Sequence, residues 1–272
     1  MRKFYIENEL GQKWDLQDPQ KTIQTTVNGI GFAYSNDYFN LGSRFVKNRS
    51  EITQKSIEFK LLVRSHIIYK NFIDFILSGE KYKLVYDMDG NVYYIDIDIL
   101  EVSKNDIIKN DYLTINFKAK NTSLFYKRIE KVYIMKSGAN ENRWDVKFEF
   151  KFEDNVAGTI DAKNNGQISS GFKVEIDGYT ENPSIIIIDK FGVETVIPFR
   201  IQVGINEKLL FSTLDDDLYA VLQKPSGTVN ILNSLDFTKD NFVKLKTGEN
   251  TVKITGNVSS AKFILYEGYI SI

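Results

Sequence analysis

The chain has 272 residues, of which 42% are hydrophobic, 13% aromatic and 26% charged, with a formal net charge of −1. That length and apolar share suffice for one large domain or two ordinary ones, and they exclude disorder of the whole chain. No basic stripe offers itself to nucleic acid, no apolar run nears the roughly 20 residues that cross a bilayer, and the absence of cysteine excludes disulfides, thiolate nucleophiles and cysteine-bound metals.

The first residues, MRKFYIENELGQKWDL, lack the apolar core of a signal peptide, so synthesis in the cytosol is expected. Phe4-Tyr5-Ile6 reads as a short strand, with a turn around Asn8 and Gly11. Residues 28–43 place Gly29, Gly31 and Gly42 among Phe32, Tyr34, Tyr38 and Phe39, without periodicity, and read as a glycine-aromatic loop region. Ile57, Phe59, Leu61 and Val63 then alternate as a strand.

One helix follows. Ser65 can cap it, Ile68, Phe72, Phe75 and Ile76 share one face, and Gly79 is placed to end it. Next comes a hairpin: Leu84-Val85-Tyr86, a turn at Asp87 to Asn91 carrying Asp89-Gly90, then Val92 to Leu100. Ile95, Ile97 and Ile99 alternate with Asp96 and Asp98, which gives that strand one buried and one wet face. A polar break is expected at Ser103 to Asp111, before a strand through Leu113, Ile115 and Phe117. The polar stretch Lys136 to Asn142 suggests a boundary, giving domains of 1–130 and 131–272.

The second half punctuates short strands with turns. Strands are expected at Lys147 to Phe152, Phe172 to Ile176, Ile185 to Ile188, Ile201 to Ile205, Leu218 to Leu222, Thr228 to Leu232, Thr251 to Thr255 and Phe263 to Tyr266. The fold class is therefore mainly β: an N-terminal β-sandwich-like domain with one α-helix, then a C-terminal β-sandwich or jelly roll.

Chemistry is sparse. His66 is the only histidine and has no evident orienting partner for acid–base work. Asp87-x-Asp89-Gly90-Asn91 resembles part of a calcium loop but lacks the later ligands and terminal glutamate, so a hairpin turn is the better reading. Asp96 and Asp98 share a strand face, as paired carboxylates of glycosidases can, but no acid–base partner is evident. Asp215-Asp216-Asp217 reads as a solvated loop. Trp144 and Tyr219 could stack on sugar rings, the one candidate binding pair. No catalytic, metal or cofactor residues are assigned.

Segment order carries a resemblance. Asn8, Gly11 and Leu16, the Gly29-Ile30-Gly31-Phe32 loop, the strand-to-helix run Ile57 to Leu77 and the Lys104-Asn105-Asp106-Ile107 turn follow in order. So do Leu113 to Tyr126, Asn182-Pro183, Gly227 with Ile231, and Gly248, Asn250 and Ile254. The whole resembles the distal tail protein family of siphophages. The resemblance implies a structural virion protein at the tail tip, made in the host cytoplasm. It would form a homo-hexameric ring from its N-terminal domains and carry outward C-terminal domains with a galectin- or carbohydrate-binding-module-like fold. It implies as partners the tail tube protein, a tail-associated lysin or tail-tip fibre, and a receptor-binding protein, with no membrane and no sequence-specific nucleic acid contact. Two other readings stay open: a carbohydrate-binding module protein using Trp144 and Tyr219 on cell-wall polysaccharide, and a glycoside hydrolase using Asp96 and Asp98 or the acids at 215–217.

Overall fold

The computed structural model describes residues 2–53, 55–109, 112–134, 159–256, 258 and 260–272. The chain divides into two compact units, one of Met1–Lys127 with Tyr269–Ile272 and one of Arg128–Gly268. Both are built almost wholly from antiparallel strands.

The first unit contains β1 (Arg2–Asn8), β2 (Lys13–Asp15), β3 (Thr22–Asn28), β4 (Tyr34–Leu41), β5 (Arg44–Ile52), β6 (Ser56–Val63), α1 (His66–Leu77), β7 (Tyr82–Met88), β8 (Asn91–Lys109), β9 (Tyr112–Asn121) and the start of β10 (Phe125–Ile134). Strand β8 is shared by two layers. Its first part, Asn91 to Ile97, pairs with β7, which leads on to β1 and β2. Its later part pairs with β9, which leads on to β6 and β3. The inward alternates of these strands, among them Phe4, Ile6, Phe59, Leu61, Leu84, Ile95, Ile115 and Phe117, form one core. This is the physical sense of the alternation in Ile57 to Val63: every second side chain faces that core.

Helix α1 closes the core. Ser65 Oγ accepts the Ile68 amide at 3.2 Å, which is an N-cap, and the helix stops at Leu77 with Gly79 two residues on. Phe72 packs on Trp14 and Phe117, and Phe75 packs on Trp14 and Tyr82. Asp89 and Gly90 both take positive φ in the β7–β8 turn, as a two-residue hairpin of this type requires.

The second unit contains the rest of β10, then β11 (Thr159–Asp161), β12 (Phe172–Asp177), β13 (Thr180–Glu181), β14 (Ser184–Asp189), β15 (Glu194–Pro198), β16 (Gln202–Val203), β17 (Lys208–Leu214), β18 (Asp217–Lys224), β19 (Gly227–Asn230), β20 (Asn250–Thr255) and, up to Gly268, β21 (Ser260–Tyr269). One sheet runs β19-β18-β17-β12-β21 and another β11-β20-β14-β15. Phe172, Val174, Phe211, Leu222 and Phe263 from the first meet Ile160, Ile185, Ile187, Ile197 and Ile254 from the second in a single core, which makes a β-sandwich.

Several expectations need correction. Residues 28–43 are not simply loop: Tyr34–Leu41 and Arg44–Ile52 form a hairpin of their own, turned at Gly42-Ser43 with Gly42 at φ +63°. Alternation was absent because neither face is buried. The polar break at Ser103 and the Lys104–Ile107 turn are instead a continuation of β8, held in strand by its pairing with β9 out to Lys109 and Tyr112. Ile201 to Ile205 shrinks to Gln202–Val203, because Gly204 to Glu207 turns back on itself through Glu207 N–H to the Gly204 carbonyl. Thr228 to Leu232 ends as a strand at Asn230 and passes into a 3₁₀ turn at Leu232–Ser234. The strand β17 had no counterpart in the sequence reading. The Lys136 to Asn142 boundary and the Lys147 to Phe152 strand lie outside the described residues.

Candidate functional site

The feature of the first unit that its own fold does not use is the β4–β5 hairpin. All seventeen residues of the two strands are exposed. Among them are Phe39 at 58%, Leu41 at 65% and Phe45 at 74% exposure, together with Tyr34, Tyr38, Val46 and Ile52. An apolar concentration of this kind, left exposed at the surface of a unit, marks a contact site.

Register sorts these side chains onto two faces. Paired residues share a face, so Tyr34 with Ile52 and Tyr38 with Lys47 lie on one side, beside Phe45. Phe39 with Val46 and Leu41 with Arg44 lie on the other, continued towards the root by Asp37 with Arg49 and by Glu51. The outer half of the hairpin is thus apolar on both sides. A hairpin lying against its own domain needs only one apolar face, whereas one inserted between protein surfaces needs two.

The root is fixed firmly. Thr53 N–H donates to the Ala33 carbonyl at 2.9 Å, and the Thr53 hydroxyl donates to the same oxygen at 3.2 Å. Asn121 Oδ1 accepts the Lys55 amide at 2.5 Å, while the Asn121 amide donates to the Lys55 carbonyl at 3.1 Å. Gly29 lies at φ +87°, and a Cβ there would stand 1.9 Å from the Ser56 carbonyl oxygen. The hairpin is therefore an arm on a rigid base. The cleft at this base, lined by Gly29, Thr53, Lys55, Asn121, Phe125 and Ile270, has room for one water at most.

The candidate residues from sequence fall elsewhere. His66 is exposed at the first position of α1. Asp87 Oδ1 accepts the Gly90 amide at 2.9 Å and so serves its turn. Asp96 is within 3.4 Å of the Tyr126 hydroxyl and beside Lys83 in register, while Asp98 is exposed beside Lys120. Asp215 and Asp217 flank the β17–β18 turn and are ion-paired to Lys244 and Lys173, each at 2.5 Å. No group of three or more His, Asp or Glu among the described residues could hold a metal ion.

Tyr219 is half-buried on β18. The Lys173 ammonium stands 5.5 Å from its ring centroid and 5.8 Å from that of Tyr266. Burial is the largest single influence on Lys173 and works to lower its pKa, but the hydrogen bond to Asp217 together with the electrostatic pull of Tyr266, Tyr219 and Asp217 outweighs it, and the net shift is upward. Burial raises the Tyr219 phenol. Trp144 lies outside the described residues.

In the second unit the β14–β15 turn is unusually well held. Asp189 is 8% exposed. Its Oδ1 accepts the amides of Phe191 and Val193, both at 2.9 Å, and its Oδ2 accepts Lys246 Nζ at 2.7 Å. The Lys246 hydrogen bond is the main reason its carboxyl sits below the ordinary value.

With this geometry in place, comparison with known proteins is informative. Residues 3–122 match the family model described as distal tail protein, N-terminal domain. No curated protein sequence matches the chain. A chain of the phage P2 baseplate, in its activated conformation with calcium, superposes with a TM-score of 0.71 at 18% identity, over 100% of both chains. The Dit protein of phage SPP1, described as a hub of the adsorption apparatus in phages infecting Gram-positive hosts, superposes with a TM-score of 0.63 at 11% identity, over 97% of this chain and 98% of its own. At these identities the structural likeness speaks to the fold, and it extends over both units.

Proposed function

We propose, from the premise that residues 3–122 form a distal tail protein N-terminal domain, that the chain is the structural hub of a siphophage tail tip. Six copies close into a ring through their N-terminal units, and the ring joins the tail tube to the adsorption apparatus. Residues 131–272 project outward and carry a receptor-binding protein, while a tail-associated lysin or tail-tip fibre attaches below and the tail tube protein above. The role is mechanical, in the virion, and involves no bond-making chemistry.

The observation that carries this reading is the β4–β5 arm. Seven large apolar side chains stand exposed on a hairpin with a rigid root and two apolar faces. A monomer gains nothing from holding them in water. A contact between two different patches of the same chain is heterologous, and it makes a ring whenever the rotation closes. The comparison with a baseplate chain and with a hub protein supports the same setting.

Light scattering behind size exclusion, across a concentration range, tests the ring directly. A mass near six subunits is expected. A monomer at every concentration that also fails to bind tail tube protein would overturn the reading. Sugar contact through Tyr219, with Trp144, would be an addition to this role and is tested by calorimetry of the full chain with cell-wall polysaccharide.

A further inference from the structure

The chain crosses from the second unit to the first between Gly268 and Tyr269. The second unit holds the residues before that crossing tightly. Gly268 N–H donates to Ser170 Oγ at 2.9 Å, and its carbonyl accepts the Gln167 amide at 2.8 Å. Glu267, 2% exposed, accepts the Asn165 amide at 2.9 Å and Asn165 Nδ2 at 3.1 Å. Little space is left beside them. A Cβ on Gly268 would stand 2.7 Å from Ile168 Cγ1, and one on Gly166 would stand 2.6 Å from the Gly268 carbonyl oxygen. Residues 164–170 thus form a clasp on Glu267 and Gly268.

The clasp is itself tied into the sandwich. Asn164 is 1% exposed; its Nδ2 donates to the Ile168 and Leu245 carbonyls, both at 3.0 Å, and its Oδ1 accepts the Gly166 amide at 2.9 Å. Ser170 and Leu245 exchange two backbone hydrogen bonds, each at 2.9 Å, and Leu245 is fully buried in the second core. The register of β21 with β12 runs only to Leu265, so these contacts are additional to the strand ladder.

Beyond the crossing, the chain end serves the arm. Tyr269 and Ile272 pack on the first core. Ile270 lines the cleft at the arm's root, with Gly29 and Phe32 from the chain entering the arm and Thr53 and Lys55 from the chain leaving it. No residue lies between the clasped Gly268 and the packed Tyr269. Their Cα atoms are held about 3.8 Å apart by a planar peptide, so a displacement of Gly268 meets no slack before Tyr269, and Ile270 follows one residue later.

We infer that Tyr269–Ile272 is a latch: the clasp on Gly268 sets the chain end that completes the root of the arm, so the arm is fixed only in a chain that is full-length and folded in both units. The latch acts within one chain and stands apart from the ring reading. Under that reading, its consequence is that truncated or half-folded chains present a loose arm.

Native-state hydrogen exchange on the full-length chain reads the latch at three root amides. They are Thr53, which donates to the Ala33 carbonyl, Lys55, which donates to Asn121 Oδ1, and Asn121, which donates to the Lys55 carbonyl. Every sample, the reference included, carries Phe39→Asp and Val46→Lys on the outer arm, so that contact between copies adds no protection. Gly166→Ala pushes on the Gly268 carbonyl without backbone strain, since Gly166 is not at positive φ. Gly192→Ala, strained at φ +78° but with open space around it, is the control in the same unit. The expected result is root exchange at least threefold faster in Gly166→Ala and within twofold of the reference in Gly192→Ala. Ser170→Ala removes the acceptor of the Gly268 amide without adding bulk. It should also quicken the root at least threefold, and it decides the question should Gly166→Ala fail to fold. Ile270→Ser, in the latch itself, should quicken the root at least tenfold. Less than a threefold change in the folded clasp variants, or in Ile270→Ser, would overturn the latch. Equal quickening by Gly166→Ala and Gly192→Ala would overturn it too, because the effect would then come from lost stability of the second unit and not through the chain end.

Discussion

Gly29 shows how a single residue carries the arm. The backbone leaves β3 at φ +87° and passes so close to Ser56 that a methyl group would enter its carbonyl oxygen. Gly31, at φ +121°, has open space around its Cβ direction. Gly29→Ala should therefore combine backbone strain with a clash, at about 3 kcal/mol, whereas Gly31→Ala should cost only strain, about 1 kcal/mol. Denaturant midpoints of the two variants separate these outcomes, and equal losses would show that the close approach is not real. The glycines were visible in the sequence. Which of them is sterically required was not, because the obstacle is the backbone of a residue 27 positions away. The same limit applies to Tyr219, whose surroundings come from Lys173, Asp217 and Tyr266 on three strands. The motif residues Asn8, Gly11 and Leu16 were legible as a unit, and each has a local cause. Asn8 Oδ1 accepts the Gln12 amide at 2.9 Å, Gly11 takes φ +76°, and Leu16 is fully buried.

Elements were readable where burial imposes a period. β6 and β12 alternate because one face meets a core, and α1 shows its apolar stripe and its Ser65 cap for the same reason. The arm escaped because both faces are wet in one chain, and β17 escaped because Leu209, Phe211, Ser212 and Thr213 are all buried and leave no alternation. This makes the arm separable from folding. Phe39→Asp with Val46→Lys, an opposite-charge pair at directly facing positions, should lower subunit association by tenfold or more and change monomer stability by no more than about 0.5 kcal/mol, since exposed positions away from caps and cores rarely matter more. Sedimentation and calorimetry on one preparation check both halves. The β14–β15 turn is the opposite case, an element held by one carboxylate. The folded pKa of Asp189 is lowered, first by the hydrogen bond from Lys246. Its contribution is therefore present above the ordinary carboxylate value of 3.8 and is lost as pH falls through the lower folded value. Asp189→Asn should remove the part of the acid-side decline in thermal midpoint seen below about pH 4 that this group supplies. A variant with the same steepness as the parent would show that Asp189 does not contribute there.

At the scale of the molecule, the path of the chain links the two units. The last four residues, Tyr269–Ile272, belong to the first unit although the residues before them belong to the second. Tyr269 meets Tyr93 edge-on at 5.2 Å between centroids, Ile270 lines the cleft at the root of the arm, and Ile272 packs on the first core. A sequence read from left to right assigns its final residues to the unit just completed, and only three-dimensional contact reveals the return. Thus the base of the arm is finished by residues synthesised after the second sandwich. Removing Tyr269–Ile272 should then weaken the first unit selectively. Native-state hydrogen exchange is expected to show faster exchange of the amides in β1, β7 and the first part of β8, with those of β12 and β17 unchanged. The size should be on the order of 2–4 kcal/mol, the range for losing large side chains from a packed site. Uniform loss of protection in both units would mean that the chain end acts on global stability instead. If only the first unit loosens, assembly should fail in parallel, because an arm on a mobile root forfeits the preorganisation that makes its exposed apolar surface productive.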